Sequence, residues 1–207
     1  MSKKILVVNY KTGNVDSVIK AIKVAGYEVI FSSEKKDFDN VSKIVLPGQG
    51  AYDYAMNQLN KLDLKQKIIE CAQKGMPILG ICLGFQLILQ EEGARISRQD
   101  QVLHGVETDI EIIPESKTYK EIGNPLRVAR YHSLQVHPDS LDSLNETIKI
   151  TARDPLRKTP LSFEDLDRKL FGLQYHPESF LTNQGKIIIQ NIRHACVDNI
   201  GRTDQTS

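Results

Sequence analysis

The sequence predicts an α/β protein built on an open, mostly parallel sheet with helices on both faces. Three aliphatic runs, Ile5-Leu6-Val7-Val8, Lys43-Ile44-Val45-Leu46 and Pro77-Ile78-Leu79-Gly80-Ile81, lack polar alternation, as strands buried on both faces require. Between them lie stretches whose apolar residues recur at helical spacing, and parallel neighbours need crossovers of that kind. At 207 residues the chain is long enough to enclose a full core without disulfides or metals.

The first strand is followed by a turn-like stretch, Asn9 to Asn14. From there Val15, Val18, Ile19 and Ile22 mark a helix, with Asn14 as N-cap and Gly26 just past its end. Tyr27-Glu28-Val29-Ile30-Phe31 is the next strand, then Lys43–Leu46. A helical pattern then places Leu64, Ile68 and Cys71 on one face ahead of the strand ending at Ile81. After Gln90 the texture changes. Residues 91–104 are polar and poorly periodic, and shorter strands are expected around 106–113, 125–130 and 147–152, as a small antiparallel excursion. Phe171-Gly172-Leu173-Gln174-Tyr175 is a further strand. Gln184 to Cys196, with Ile188, Ile192 and Cys196 on one face, closes over the sheet as a helix. No repeat or linker divides the chain, so residues 1–197 are read as one domain and 198–207 as a frayed tail.

Composition excludes several function classes. Lys+Arg (27) nearly cancels Asp+Glu (26), so no long-range basic field toward nucleic acid exists. The three cysteines, Cys71, Cys82 and Cys196, are far apart and in no metal-ligand spacing, which argues against a disulfide framework or a zinc site. The apolar run before Asn9 is too short for a signal peptide, and no stretch approaches a membrane span. A cytoplasmic protein with no metal, cofactor, membrane or nucleic-acid partner is expected.

The sharpest local feature is Gly80-Ile81-Cys82-Leu83-Gly84, a GxCxG between a buried strand and the apolar segment Phe85–Leu89. This is the setting of a nucleophile elbow. The turn holds its central residue in a strained backbone conformation, and glycines stand two positions either side, where a Cβ would collide with the neighbouring strand or helix. The helix that follows would aim its N-terminal dipole at the cysteine and stabilise a thiolate. Cys71 and Cys196 fall on helix stripes and read as core residues. A thiol nucleophile needs a base and a group that orients it. In an extended segment residues i and i+2 share a side, so in His176-Pro177-Glu178 the carboxylate can lie alongside the imidazole, and Pro177 favours the extended conformation at His176. His137-Pro138-Asp139 has the same spacing, but it opens into a polar stretch better read as a helix start or loop. His176 follows a strand of the sheet, where such folds place their chemistry. His104, His132 and His194 have no carboxylate within two residues and read as surface or satisfied core histidines. Leu46-Pro47-Gly48-Gln49-Gly50 also follows a strand. It lacks the GK[ST] of a phosphate loop and the spacing of a dinucleotide fingerprint, and reads either as a tight turn or as backbone able to turn N–H groups toward a ligand.

Taken together, LPGQG, GICLGFQ, RYHSL and QYHPESFLTNQG occur in the order found in the class I glutamine amidotransferases, which the chain resembles over nearly its whole length. That resemblance implies a flavodoxin-like glutaminase fold. It implies Cys82 as nucleophile, His176 as base and Glu178 as the group that orients it. It further implies Gly48, Gly50 and Leu83 as oxyanion-hole backbone, and Gln86 with the Ser133-Leu134 backbone as the holder of L-glutamine. No second catalytic module fits in the chain, so the family resemblance implies a separate synthase subunit that receives the ammonia.

The two halves of the sequence resemble different subfamilies. Asn9-Tyr10-Lys11-Thr12-Gly13-Asn14 and the PGQG turn are similar to the glutaminase subunit of imidazole glycerol phosphate synthase. His104-Gly105, Arg130-Tyr131-His132-Ser133-Leu134 and the segment around His176-Pro177-Glu178-Ser179 are similar to the glutaminases of anthranilate synthase and aminodeoxychorismate synthase, although Val106 stands where those have a lysine. The second half includes the glutamine-holding segment, so a chorismate-aminating partner is expected, with imidazole glycerol phosphate synthase as the alternative. Readings of other classes are a non-catalytic module that keeps the fold, and a redox or peptidase role for Cys82.

Overall fold

A computed structural model describes residues 4–11, 15–48, 50–99, 102–113 and 115–198. The first half alternates β1 (Lys4–Val8), α1 (Asp16–Val24), β2 (Glu28–Ser32), β3 (Lys43–Leu46), α2 (Tyr52–Lys61), α3 (Leu64–Gln73), β4 (Ile78–Ile81) and α4 (Leu83–Glu91). The second half adds β5 (Ile96–Arg98), β6 (Val106–Ile112), β7 (Leu126–Arg130), β8 (Leu134–Val136), β9 (Lys149–Arg153), β10 (Pro160–Asp165), β11 (Leu170–Leu173) and α5 (Gly185–Asp198).

Nine strands form one sheet in the order β2-β1-β3-β4-β11-β10-β9-β6-β7, and β5 pairs with β8 separately. The strands from β2 to β11 run parallel. From β11 outward every pairing is antiparallel. The parallel part has the 2-1-3-4-5 order of flavodoxin-like sheets. The antiparallel part is larger than the small excursion expected: β10, β9, β6 and β7 continue the same sheet.

Burial explains the apolar runs. Along β1 and β3, Leu6, Val8, Ile44 and Leu46 pack with Leu59 of α2, Leu64 and Cys71 of α3, and Phe85 of α4. The intervening Ile5, Val7 and Val45 pack on the other face with Val18 and Ile22 of α1. Leu173 and Tyr175 pack with Ile188, Ile192 and Cys196 of α5. Each large aliphatic side chain so buried contributes about 1.5–3 kcal/mol. Gly26 follows α1 with φ +85°, the left-handed stop expected of it. The N-cap position of α1 is Val15, which makes no side-chain cap, so the helix begins at Asp16; Asn14 lies outside the described residues. The tail beyond 198 also lies outside them. Among the described residues no helix is long and apolar enough to cross a membrane.

Candidate active site

Strand order alone gathers the chemistry. β3, β4 and β11 are adjacent and parallel, so the segments after their carboxyl ends meet at one edge of the sheet. Pro47 and Gly48 follow β3, Cys82 follows β4, and His176 lies three residues beyond β11. The nucleophile candidate thus sits between the glycine turn on one side and the histidine on the other.

Cys82 has φ +50° and ψ −97°, a conformation that costs a non-glycine residue on the order of 1–3 kcal/mol. Its N–H donates to the Leu173 carbonyl at 2.7 Å, which ties the turn to β11. The flanking glycines are there for close approach. A Cβ on Gly84 would lie 2.2 Å from the Leu46 carbonyl oxygen, and one on Gly80 would lie 2.5 Å from the Gly84 carbonyl. The first helical bond of α4 runs from the Gln86 N–H to the Cys82 carbonyl, so Cys82 caps a helix whose leading N–H groups have no acceptor within it.

His176 is 3% exposed and its backbone is held on both sides. Its N–H donates to the Ala129 carbonyl at 3.1 Å, and its own carbonyl accepts from the Thr182 hydroxyl at 2.6 Å. Gly185 starts α5 directly against Pro177, where a Cβ would come 2.0 Å from the Pro177 carbonyl oxygen. The Nδ1 of His176 meets Glu178 Oε1 at 2.7 Å, as the i, i+2 spacing requires. Nε2 has no other hydrogen-bond partner among the described residues and is the nitrogen left for Cys82. Burial lowers the imidazole pKa, but Cys82 and then Glu178, by hydrogen bonding and charge, outweigh it and raise it to about 10. Tyr131 packs edge-on against the ring, with centroids 5.2 Å apart. His137, by contrast, is half-buried and accepts from the Asp139 N–H as the cap of a short 3₁₀ helix, so the competing pair is a helix start.

Gly48 abuts Cys82: a Cβ there would lie 2.7 Å from the Cys82 Cβ and 2.6 Å from the Ile81 carbonyl oxygen. Gly50 has φ +131°, a backbone region closed to side chains; Gln49 between them lies outside the described residues. Leu83 is the first residue of α4. Gly48 and the first turn of α4 therefore lie next to Cys82, where the sequence places the expected oxyanion-hole backbone. Sequence reasoning missed Tyr10. Its buried hydroxyl donates to the Pro47 carbonyl, and burial, then the proximity of Cys82, raises its pKa.

The structure also joins the residues expected at the far end of the substrate. The Gln86 amide nitrogen donates to the Leu134 carbonyl at 3.1 Å and to Gln174 Oε1 at 2.9 Å. Ser133 is exposed and Leu134 half-buried, and the Ser133 carbonyl accepts from the Gln99 N–H at 3.0 Å. Gln174, which fixes Gln86 and lies just past the end of β11, was also missed; nothing local in the segment QYH distinguishes it from a core polar residue.

The family model described as glutamine amidotransferase class-I matches residues 6–195. Anthranilate synthase component 2 of Helicobacter pylori is 34% identical over 148 residues, covering 70% of this chain and 68% of that protein. Aminodeoxychorismate synthase component 2 of Escherichia coli is 38% identical over 119 residues, 58% of this chain and 61% of that one. Imidazole glycerol phosphate synthase subunit HisH of Lactococcus lactis is 41% identical over 97 residues, 47% and 48% respectively. In fold, a glutamine amidotransferase from Thermotoga maritima superposes with TM-score 0.73 at 17% identity, covering 94% of this chain and 98% of that one. A second solved glutamine amidotransferase gives 0.71 at 17% identity, covering 93% of this chain and 99% of that one. The chain belongs to the class I glutamine amidotransferases.

Proposed function

We propose that this chain is the glutamine-hydrolysing subunit of a chorismate-aminating synthase, working through Cys82, His176 and Glu178. The observation that carries this reading is the buried imidazole of His176, whose Nδ1 is occupied by Glu178 and whose Nε2 is left for the strained Cys82. His176 takes the thiol proton, and the sulfur attacks the side-chain carboxamide carbon of glutamine. The tetrahedral oxyanion is met by backbone N–H groups of Leu83 and of the Gly48–Gly50 turn, each worth on the order of 100- to 1000-fold in turnover. The C–N bond breaks, and the imidazolium returns its proton to the departing ammonia. Water, deprotonated by the same ring, opens the thioester, so glutamine and water become glutamate and ammonia with the thiol restored. Gln86 and the Ser133-Leu134 backbone hold the amino-acid end of the substrate.

Ammonia release into solvent would serve no synthesis, so the product passes to a separate synthase subunit. The anthranilate and aminodeoxychorismate synthase relatives support chorismate as the acceptor's starting material. A second reading, ammonia supply for imidazole glycerol phosphate formation, is favoured by the HisH relatives and by the similarity of the residues after β1 to that subunit. Affinity purification from the source cell, followed by an assay for chorismate amination with glutamine, separates them. Co-purification of a chorismate-binding synthase supports the first reading, and co-purification of a (βα)₈-barrel cyclase overturns it.

A further inference from the structure

Arg130 is 2% exposed, among the largest fully buried side chains of the protein. Burying a guanidinium costs several kcal/mol unless its charge and donors are met, and apolar residues of similar volume often serve stability as well or better. Its partners are specific. Nη1 donates to Asp154 Oδ2 at 2.8 Å, and the other oxygen of Asp154 is held by the N–H groups of Leu156 and Arg157. The Nε–H of Arg130 donates to His132 Nε2 at 3.1 Å. Because a guanidinium can only donate, that contact leaves the proton of the neutral ring on Nδ1. Nδ1 lies 2.8 Å from the Leu134 carbonyl and donates to it. The same carbonyl accepts from Gln86. An unbroken chain of hydrogen bonds therefore runs from Asp154 through Arg130 and His132 to the segment that faces Gln86. Burial, followed by the charge of Arg130, holds the His132 pKa down to about 3, so the ring stays neutral and keeps this tautomer.

We propose that Arg130, anchored by Asp154, is a positioning residue for glutamine: it selects the His132 tautomer that pins the Leu134 carbonyl and so sets the Ser133-Leu134 edge of the substrate site. With the opposite tautomer Nδ1 would turn a lone pair on the carbonyl, and the edge would swing away from Gln86. The proposal rests on the reading of that edge as the glutamine holder.

The test measures glutamine affinity by calorimetry in a Cys82→Ser background, where binding is read without turnover. The double variant Arg130→Met with Asp154→Leu replaces the ion pair by apolar groups and leaves no buried charge unpaired. It is expected to weaken glutamine binding by about tenfold, the worth of one hydrogen bond. His132→Leu should weaken binding to a similar extent. His132→Asn keeps a donor near the Nδ1 position and needs no tautomer selection; it should bind close to the parent and make the Arg130/Asp154 change silent. Unchanged affinity in the double variant overturns the proposal. Should that variant not fold, equal affinities of His132→Leu and His132→Asn overturn it. Failure of the Cys82→Ser parent to bind glutamine removes the substrate reading itself and the proposal with it.

Discussion

Cys82 and Leu173 are joined by a 2.7 Å hydrogen bond from the cysteine N–H to the leucine carbonyl, which locks the elbow after β4 to the strand that delivers His176. The proposed nucleophile and base therefore follow two parallel neighbours whose relative register is fixed by backbone bonds, with Leu173 paired to Ile81. The strained φ of Cys82 lies between Gly80 and Gly84, both packed closely against neighbouring backbone, which confines the turn.

Gly84→Ala tests that packing. The added Cβ would lie 2.2 Å from the backbone oxygen of Leu46, so β3 or α4 must move. Such overpacking destabilises by about 1–3 kcal/mol or more, and denaturant titration should show a lowered midpoint. Any folded fraction should have lost glutaminase activity, because the displaced helix carries Leu83 and Gln86.

Glu178→Gln should lower the basicity of His176, since the carboxylate is one of the groups that raise it. The carboxylate also orients the ring through Nδ1, and with that contact weakened a fall in kcat of at least about tenfold is expected. In a profile of kcat against pH, the limb that reports His176 should move to lower pH.

Tyr10→Phe removes the hydroxyl that holds the Pro47 carbonyl. Carbonyl and N–H point oppositely across a trans peptide, so this bond fixes where the Gly48 N–H points. The expected result is a reduced kcat with little change in KM for glutamine, measured in steady-state assays with the partner bound. A rise in KM alone would place Tyr10 in substrate binding instead.

His132 gives stability a pH dependence of known sign. Its folded pKa, about 3, lies below the unfolded value near 6.5, so the unfolded state binds the extra proton between them. Stability from this group is present above about pH 6.5 and is lost as pH falls toward 3. Between pH 7 and 5.5 that amounts to about 1 kcal/mol. Urea titrations should show the native protein falling by about that much relative to His132→Asn over this window; His176, whose folded pKa is raised, shifts stability the other way in both proteins and cancels in the comparison.

Most of the parallel half of the fold was legible because β1, β3 and β4, buried on both faces, are continuous aliphatic runs. The α2 helix was not: only Ala55 and Leu59 of Tyr52–Lys61 are buried, too few to mark a stripe. β10 was missed for the opposite reason. All six of its residues are buried, but Glu164 and Asp165 make the segment look polar. Most of their partners come from afar: Glu164 accepts from the N–H groups of Lys117 and Thr118, and Asp165 from Thr147 as well as from the nearby Arg168. The site divides in the same way. Cys82, His176 and Glu178 announce themselves through local spacing, whereas Tyr10, Gln174 and the Arg130 relay acquire their partners only when distant strands meet.

In the proposed reaction the Cys82 sulfur breaks the glutamine carboxamide to feed a partner enzyme. Its most direct test is to measure synthesis by the reconstituted complex with Cys82→Ala, once with glutamine and once with ammonium salt. Glutamine-dependent synthesis should disappear while ammonia-dependent synthesis is unchanged. Glutamine-dependent synthesis that survives the loss of the sulfur would contradict it.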